Sequence, residues 1–307
     1  MTKMQKLTAF IRLGRPLFLG GGLIFHLLGV LMALYAGADL NLAVLIWGQV
    51  AITGAQLMTH YGNEYYDLEA DRANPNPTHW AGGSRVLVEG WLPPRVALAA
   101  AGVFGAMSLA ATLVLGVWFQ ASWQALAVLL LSVFLAWEYS APPLKLHSRG
   151  LGELTVAVIV PVLTPLTGYT LQAGQLAVLP LLVVFPLACL QFVMILGINF
   201  PDAAGDWQTD KYTLVIRLGA ARAARLYLFV LALAYLSLPL LRAGGVPLPA
   251  VLAVLALSPL AAWQAYRMGR GDWKNPPAWD SLAFWSIALL MGTAVLVVLA
   301  FGWLVFG

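Results

Sequence analysis

Charge is scarce in this chain. Asp, Glu, Lys and Arg make up 10% of its 307 residues, whereas a soluble domain carries about 25%. Hydrophobic residues make up 61% and the mean hydropathy is +0.83, which argues against a water-soluble fold. The one cysteine, Cys189, lies in an apolar run; it excludes an intrachain disulfide and reads as a packing residue. The four histidines show no metal-ligand spacing, which argues against a zinc site. No G-x-x-x-x-G-K-[ST] occurs, so nucleotide hydrolysis has no support. The N-terminus lacks a cleavable-signal pattern, because Arg12 and Arg15 come late and no small-residue cleavage site precedes the first apolar run. The net charge of +4 is dispersed among the loops and gives no nucleic-acid signal.

Long apolar runs are present instead. Windows of about 20 apolar residues mark membrane-spanning helices. They predict nine spans, at 17–36, 40–60, 95–117, 120–138, 154–173, 176–199, 223–242, 247–266 and 281–306. The runs are continuous and do not alternate, which disfavours a β-barrel. Lys and Arg set the orientation. With a cytoplasmic N-terminus, Lys3, Lys6, Arg12, Arg15, Arg72, Arg85, Arg95, Lys145, Arg149, Lys211, Arg217, Arg222, Arg225, Arg267, Arg270 and Lys274 all lie inside. Those are 16 of the 17 basic residues, and only Arg242 falls outside. The expectation is therefore a multi-pass protein of the cell (inner) membrane with its N-terminus and site loops in the cytoplasm. Twelve of the 13 acidic residues share that side, Asp39 being the exception. Acidic residues contribute little to orientation, so chemistry at the cytoplasmic mouth is the simplest reason for their placement.

Two acidic sets repeat. Asn63, Asp67 and Asp71 form N-x-x-x-D-x-x-x-D, and Asp202, Asp206 and Asp210 form D-x-x-x-D-x-x-x-D, offset by 139 residues. Spacing of four places each set along one helix face. Carboxylates one turn apart repel in a poorly solvated site. Mg²⁺ resolves this, since it takes oxygen ligands, commonly one or two carboxylates plus substrate phosphate oxygens. Four helices separate the sets, so the halves are expected to be parallel four-helix repeats about an axis along the membrane normal, with helix nine added. The expected fold is an all-α bundle forming one domain over residues 1–307. Asp202 and Asp206 form the stronger pair of the second set. Asp210 stays open between ligand and loop acid. Pro201 is expected to open a first turn or to break the helix just before the acids.

Basic residues near the same mouth suit a diphosphate. Arg15, Arg72 and Lys145 lead, Arg85 and Arg217 follow, and Lys211 either neutralises Asp210 or reaches a phosphate. Each is also explicable as a positive-inside anchor. Among Tyr61, Tyr65, Tyr66, Tyr139 and Trp207, Tyr139 is the best candidate to stabilise a carbocation through its π face. His60 and His79 lie near the first set. The 72–94 segment, with Trp80-Ala-Gly-Gly-Ser84-Arg85, is too long for a simple connector and reads as a lid.

Nearly the whole chain resembles the UbiA superfamily of intramembrane prenyltransferases. The marks are Asn63-x-x-x-Asp67-x-x-x-Asp71, Tyr139-Ser-x-Pro-Pro-x-Lys145, Asp202-x-x-x-Asp206 and Lys211-x-Thr213-Leu214-x-x-Arg217-Leu-Gly219. Gly82-Gly83-Ser84-Arg85-Val-Leu and Asn199-x-x-Asp202 look most like the menaquinone branch, the 1,4-dihydroxy-2-naphthoate polyprenyltransferases. Asp210 departs from that branch, which more often has Gly, and leaves the acceptor open. The resemblance implies that Asp67, Asp71, Asp202 and Asp206 hold two Mg²⁺ ions, with Asn63 helping. The ions bind the diphosphate of a polyprenyl donor, assisted by Arg15, Arg72 and Lys145, and an electron-rich small aromatic acceptor attacks the allylic cation. The apolar prenyl tail would lie between the helices, with an exit toward membrane lipid. Other acceptors on the same scaffold are 4-hydroxybenzoate, homogentisate, a lipid glycerol phosphate or a carotenoid. CDP-alcohol phosphotransferases are disfavoured, because their D-G-x-x-A-R is absent. An anionic-lipid transporter would need polar groups reachable from both faces, and the outer half is almost uncharged.

Overall fold

The computed structural model describes residues 2–307, and every regular element in it is helical. The chain enters through α1 (Lys3–Leu13), a short amphipathic helix that the apolar-window reading did not register. Thr2 and Gln5 cap it reciprocally, at 2.8 and 3.2 Å. Then follow α2 (Pro16–Tyr35), α3 (Leu42–Tyr66), α4 (Leu68–Ala73), α5 (Pro94–Val117) and α6 (Trp123–Glu138). Next come α7 (Gly152–Val158) and α8 (Thr164–Ala173), joined by one π-helical turn, and α9 (Val178–Gln208). The chain ends with α10 (Leu214–Leu218), α11 (Ala220–Leu236), α12 (Leu238–Ala243), α13 (Leu248–Leu255), α14 (Ser258–Arg270) and α15 (Pro276–Phe306).

Eight helical stretches among the described residues are long and apolar enough to cross a membrane, one fewer than the sequence predicts. The difference is α6, with 16 residues. Ser122 accepts from the Ala125 amide and starts the helix three residues later than the apolar window suggests. At 1.5 Å per residue it extends about 24 Å, less than the roughly 30 Å of a hydrocarbon core. The chain is a multi-pass membrane protein.

The second departure is in α9. It does not stop before Pro201 but runs through Pro186 and Pro201 to Gln208, carrying Asn199, Asp202 and Asp206 on continuous helix. Tertiary contact explains the continuation. A Cβ on Gly205 would meet the Asn74 backbone at 2.8 Å and the Ala70 carbonyl at 2.9 Å. Only glycine lets α9 lie this close to α4, and the two acid-bearing helix ends are thereby held together. The main core lies between α2, α9, α11, α13 and α15, around Phe25, Leu187, Leu190, Tyr227 and Phe301, all almost fully buried.

Candidate active site

The first acidic set straddles a helix junction. α3 ends at Tyr66, yet the Asp67 amide donates to Asn63 O and the Asp71 amide to Asp67 O, both at 2.8 Å. The i to i−4 bonding persists across the junction, so the three side chains keep one face. That face meets the end of α9 over a cavity of about 580 Å³. Arg15, His60, Asn63, Asp67, Asp71, Tyr139, Asn199, Asp202 and Lys211 line its polar end. Phe18, Ile52, Leu129, Ile159, Met194, Ile198, Phe284, Ile287 and Met291 line its apolar body.

Lys211 is the centre of the polar end. Its Nζ lies 2.9 Å from Asp67 Oδ2 and 3.3 Å from Asp206 Oδ1, bridging the two repeats of the motif. Asp67 also accepts from Asn63 Nδ2 at 2.7 Å and faces His147 Nε2 at 2.5 Å. His147 Nδ1 is turned to the Tyr139 carbonyl at 2.6 Å, and Asn63 Nδ2 reaches Ser140 Oγ at 3.1 Å. Asp202 Oδ1 accepts from Asn74 Nδ2 at 2.6 Å. Burial alone would push the Asp67 carboxyl up, but His147 and Lys211 outweigh it and hold the group well below the usual range. Asp71 goes the other way: burial, and then the Asp67 charge, push it up to about 8. Burial works against the Lys211 ammonium, yet Asp67, Asp206 and Asp202 raise its pKa well above the ordinary lysine value.

The expected donor-binding cations are not all gathered here. Arg15 lines the cavity, but its guanidinium is committed to Glu64, with Nε and Nη2 at 2.9 and 2.6 Å from Oε1. Arg72 is half-exposed and pairs with Glu69 at 2.8 Å, away from the cavity. Lys145 is exposed and lies outside the cavity lining, because its left-handed conformation (φ 46°) turns the chain so that His147 points inward instead. Asp210 is likewise left-handed (φ 55°) and exposed; it accepts from the Tyr212 hydroxyl at 2.9 Å and takes no place in the cavity wall. Arg85 donates to the Asp71 carbonyl at 2.5 Å, and exposed Arg217 donates to the Tyr212 carbonyl at 3.2 Å. Tyr139 lines the cavity and packs at 5.3 Å against the His147 ring.

Glu64, His147, Asn74 and Glu153 were not singled out from the sequence. Glu64 is 2% exposed and also accepts from the Ser84 amide (2.8 Å) and hydroxyl (2.6 Å), which fastens the 72–94 segment to α3. That segment lies over the cavity mouth, where Trp80, Ala81, Gly82 and Gly83 contribute to the lining. A Cβ on Gly83 (φ 72°) would overlap Asp71 Oδ2, so glycine is required for this approach. Glu153 ties the start of α10 to α9 by accepting from the Leu214 amide (3.2 Å) and Asn199 Nδ2 (2.8 Å). The sequence signal available for these residues was that they are polar positions inside or beside the motifs.

The donor set suits a divalent cation held largely through oxygen. Among the described residues no three acidic, His or Cys side chains already enclose a metal position, because Lys211 stands between Asp67 and Asp206. However, Asp206 Oδ2 is buried without a hydrogen-bond partner among the described residues, and the partly buried Asp71 lines the cavity. Unpartnered carboxylate oxygens are costly to bury unless a cation takes them up. Mg²⁺, which keeps several waters and needs only one or two carboxylates, fits them.

An apolar cavity within a membrane helix bundle, headed by carboxylates and cations, defines a membrane-embedded enzyme acting on an amphiphile with an anionic head. The chain belongs to the UbiA prenyltransferase family, whose family model matches residues 22–288. No curated protein matches it. Solved structures share its fold. An apo UbiA homologue from Aeropyrum pernix K1 aligns with a TM-score of 0.64 at 20% identity, over 90% of this chain and 95% of its own. A UbiA homologue from Archaeoglobus fulgidus bound to GPP and Mg²⁺ gives 0.61 at 16% identity, over 94% and 99%. A digeranylgeranylglyceryl phosphate synthase gives 0.59 at 18% identity, over 96% and 97%.

Proposed function

We propose that this protein transfers a prenyl group from a polyprenyl diphosphate to an acceptor within the membrane, with Mg²⁺ as cofactor. The observation that carries the reading is the cavity itself, whose apolar body suits an isoprenoid tail and whose polar end suits a metal-bound diphosphate. Asp71, Asp202, Asp206 and Asp67 are the residues that would hold the metal. When bound, Mg²⁺ supplies positive charge that stabilises the departing diphosphate. Lys211 orients the acids from the two halves and offers its ammonium to the same anion, with Arg15 beside it. The closed lid segment and the apolar wall keep water from the allylic cation formed as the C1–O bond breaks, and Tyr139 presents an aromatic ring near it. The whole chain acts as one domain, with the site open to the cytoplasm.

Two acceptor classes fit. The motif resemblance to the menaquinone branch favours an aromatic acid such as 1,4-dihydroxy-2-naphthoate. Yet Ser84 and Gly83, which carry part of that resemblance, contact Glu64 and Asp71, so they bear on the diphosphate end and not on the acceptor. The similarity in fold to the digeranylgeranylglyceryl phosphate synthase favours a prenylated glycerol phosphate. Purified protein with Mg²⁺, a polyprenyl diphosphate and a panel of both acceptor classes, with products weighed by mass spectrometry, separates them. Absence of diphosphate release with every acceptor would overturn the reading.

A further inference from the structure

The prenyl-transfer reading leaves one proton unaccounted for. The acceptor atom that attacks C1, whether a ring carbon or a hydroxyl oxygen, carries a hydrogen that must leave. We propose that His60 Nε2 takes it. This rests on the prenyl-transfer reading, and three observations carry it.

First, the tautomer is fixed. His60 Nδ1 lies 2.8 Å from the Gly14 carbonyl. A carbonyl only accepts, so Nδ1 carries the hydrogen and Nε2 of the neutral ring holds a lone pair. Second, that lone pair is free. Nε2 has no hydrogen-bond partner among the described residues, and His60 lines the cavity. Phe18 packs edge-on against the ring at 6.4 Å and limits its rotation. Third, the depth is right. His60, Asn63 and Asp67 follow one another at helical spacing, so they share the cavity-facing stripe of α3. His60 precedes Asp67 by seven residues, which is about 10 Å along the axis. It therefore lies at the inner margin of the polar end, next to the apolar body, where the head and tail of a bound donor would join.

The carboxylates are poorer candidates. Asp67 is saturated by His147, Lys211 and Asn63, Asp202 is bonded by Asn74, and Asp71 and Asp206 are the acids left to hold the metal, which would occupy their lone pairs. The hydroxyls of Thr59 and Ser132 in the wall donate to backbone carbonyls and are not basic. The step balances as follows. The C1–O pair leaves with the diphosphate, an acceptor pair forms the new bond to C1, and the acceptor's proton passes to Nε2 to give an imidazolium. A weak base suffices, because the prenylated acceptor is strongly acidic before it loses that proton. The imidazolium returns its proton to water when the site opens.

Two substitutions separate a base from a structural histidine. His60→Asn places an amide N–H where Nδ1 was and keeps the bond to Gly14, but it removes the base. His60→Gln places its amide near Nε2 and loses the Gly14 bond. A proton acceptor predicts that both variants lose turnover by about 10²–10⁴-fold, the usual contribution of general base catalysis. Donor affinity, read by thermal stabilisation with polyprenyl diphosphate and Mg²⁺, should stay within about twofold of the parent value expected from unchanged contacts. With an aromatic acceptor deuterated at the attacked carbon, the slowed His60→Asn variant should acquire a primary isotope effect larger than that of the parent; with a hydroxyl acceptor, a solvent isotope effect. Active His60→Asn with damaged His60→Gln would show that only the Gly14 contact matters and would overturn the proposal. So would two active variants, or two slow ones with unchanged isotope effects. If the parent protein itself releases no diphosphate, the functional reading fails and not merely the role of His60.

Discussion

Glu64 is buried in a membrane protein poor in charge, and its removal tests how the lid is fastened. Its two oxygens accept from Arg15 Nε and Nη2, the Ser84 amide and the Ser84 hydroxyl, at 2.6–2.9 Å. Glu64→Ala deletes all four bonds and strands a guanidinium whose side chain is 27% exposed. Breaking a buried ion pair by removing one partner costs about 3–5 kcal/mol. The exposed part of the Arg15 side chain reduces that, so about 3 kcal/mol is expected. Glu64→Gln keeps Oε1 for Arg15 and the Ser84 amide, while the Ser84 hydroxyl rotates to accept from the new amide. It loses the charge alone and should cost roughly 1–2 kcal/mol. Denaturant unfolding in detergent measures both, and trypsin cleavage after Arg85 reports whether the 72–94 segment has come loose. Glu64→Ala should expose that bond and Glu64→Gln should not. A loss below about 1 kcal/mol for Glu64→Ala, with Arg85 still protected, would refute the assignment of Glu64 as the fastening point.

Asp67→Asn or Asp206→Asn should lower turnover by about 10²–10³-fold or more while the protein still reaches the membrane fraction; near-normal diphosphate release removes that residue from the metal site. Lys211→Met should weaken donor binding at least tenfold, because it deletes the cation bridging Asp67 and Asp206, whereas Lys145→Ala and Arg72→Ala should stay within about threefold, since neither side chain lines the cavity. Donor titrations of the three variants check the order, and a reversed order refutes it. The Asp71 carboxyl is pushed up to about 8, chiefly by burial and then by Asp67. A carboxyl with a raised folded pKa binds its proton more tightly when folded. Its stabilising contribution is complete below about pH 4 and is lost as pH rises through about 8. Without metal, the thermal midpoint should fall across that window and Asp71→Asn should flatten the fall; an equal slope in the variant sinks the assignment. Mg²⁺ binding, which needs the deprotonated carboxylate, should strengthen over the same range.

The parts of the site visible in sequence are those written on one helix face. Asn63, Asp67 and Asp71 follow at intervals of four, and so do Asp202 and Asp206, each set closing an apolar run. The structure keeps each on one face because backbone bonding continues across Asp67 and the helical conformation of α9 continues past Pro201. What was hidden depends on turns and on partners far along the chain. Lys145 and His147 are two residues apart, and with left-handed backbone at Lys145 it is His147 that turns inward to meet Asp67 while Lys145 stays exposed. No residue-type pattern announces that turn at a lysine, for which left-handed backbone is uncommon. Asn74 meets Asp202 across 128 residues and His147 meets Asp67 across 80. Glu64 lies a single residue from Asn63, about 100° around the helix, and so serves the lid and not the cavity. The span count differed for a local reason: Ser122 is apolar enough in context to be swept into a hydropathy window, but its hydroxyl accepts the Ala125 amide and begins the helix there.

The cavity body also shows why a residue's polarity and the polarity it presents are different things. Thr59, Ser132 and Thr164 all line this space, yet each hydroxyl hydrogen is turned onto a backbone carbonyl, those of Ala55, Val128 and Ile159, at 2.8–3.0 Å. In a bilayer such back-bonding is the cheapest way to satisfy a hydroxyl, and it leaves mainly methyl and methylene groups facing the void. Apart from the Gln56 and Gln191 amides, the wall is consequently more hydrocarbon-like than its residue list. The carboxylates at the mouth have no such escape, because an ionised oxygen carries no hydrogen to donate and accepts only. Where Lys211, His147, Asn63 and Asn74 do not reach, as at Asp206 Oδ2, an oxygen remains unpaired. Buried hydroxyls that satisfy themselves and buried carboxylates that cannot together divide one cavity into a region for an isoprenoid and a region for a cation and its anion. The two meet below Asn63, where a bond between tail and head group would have to break.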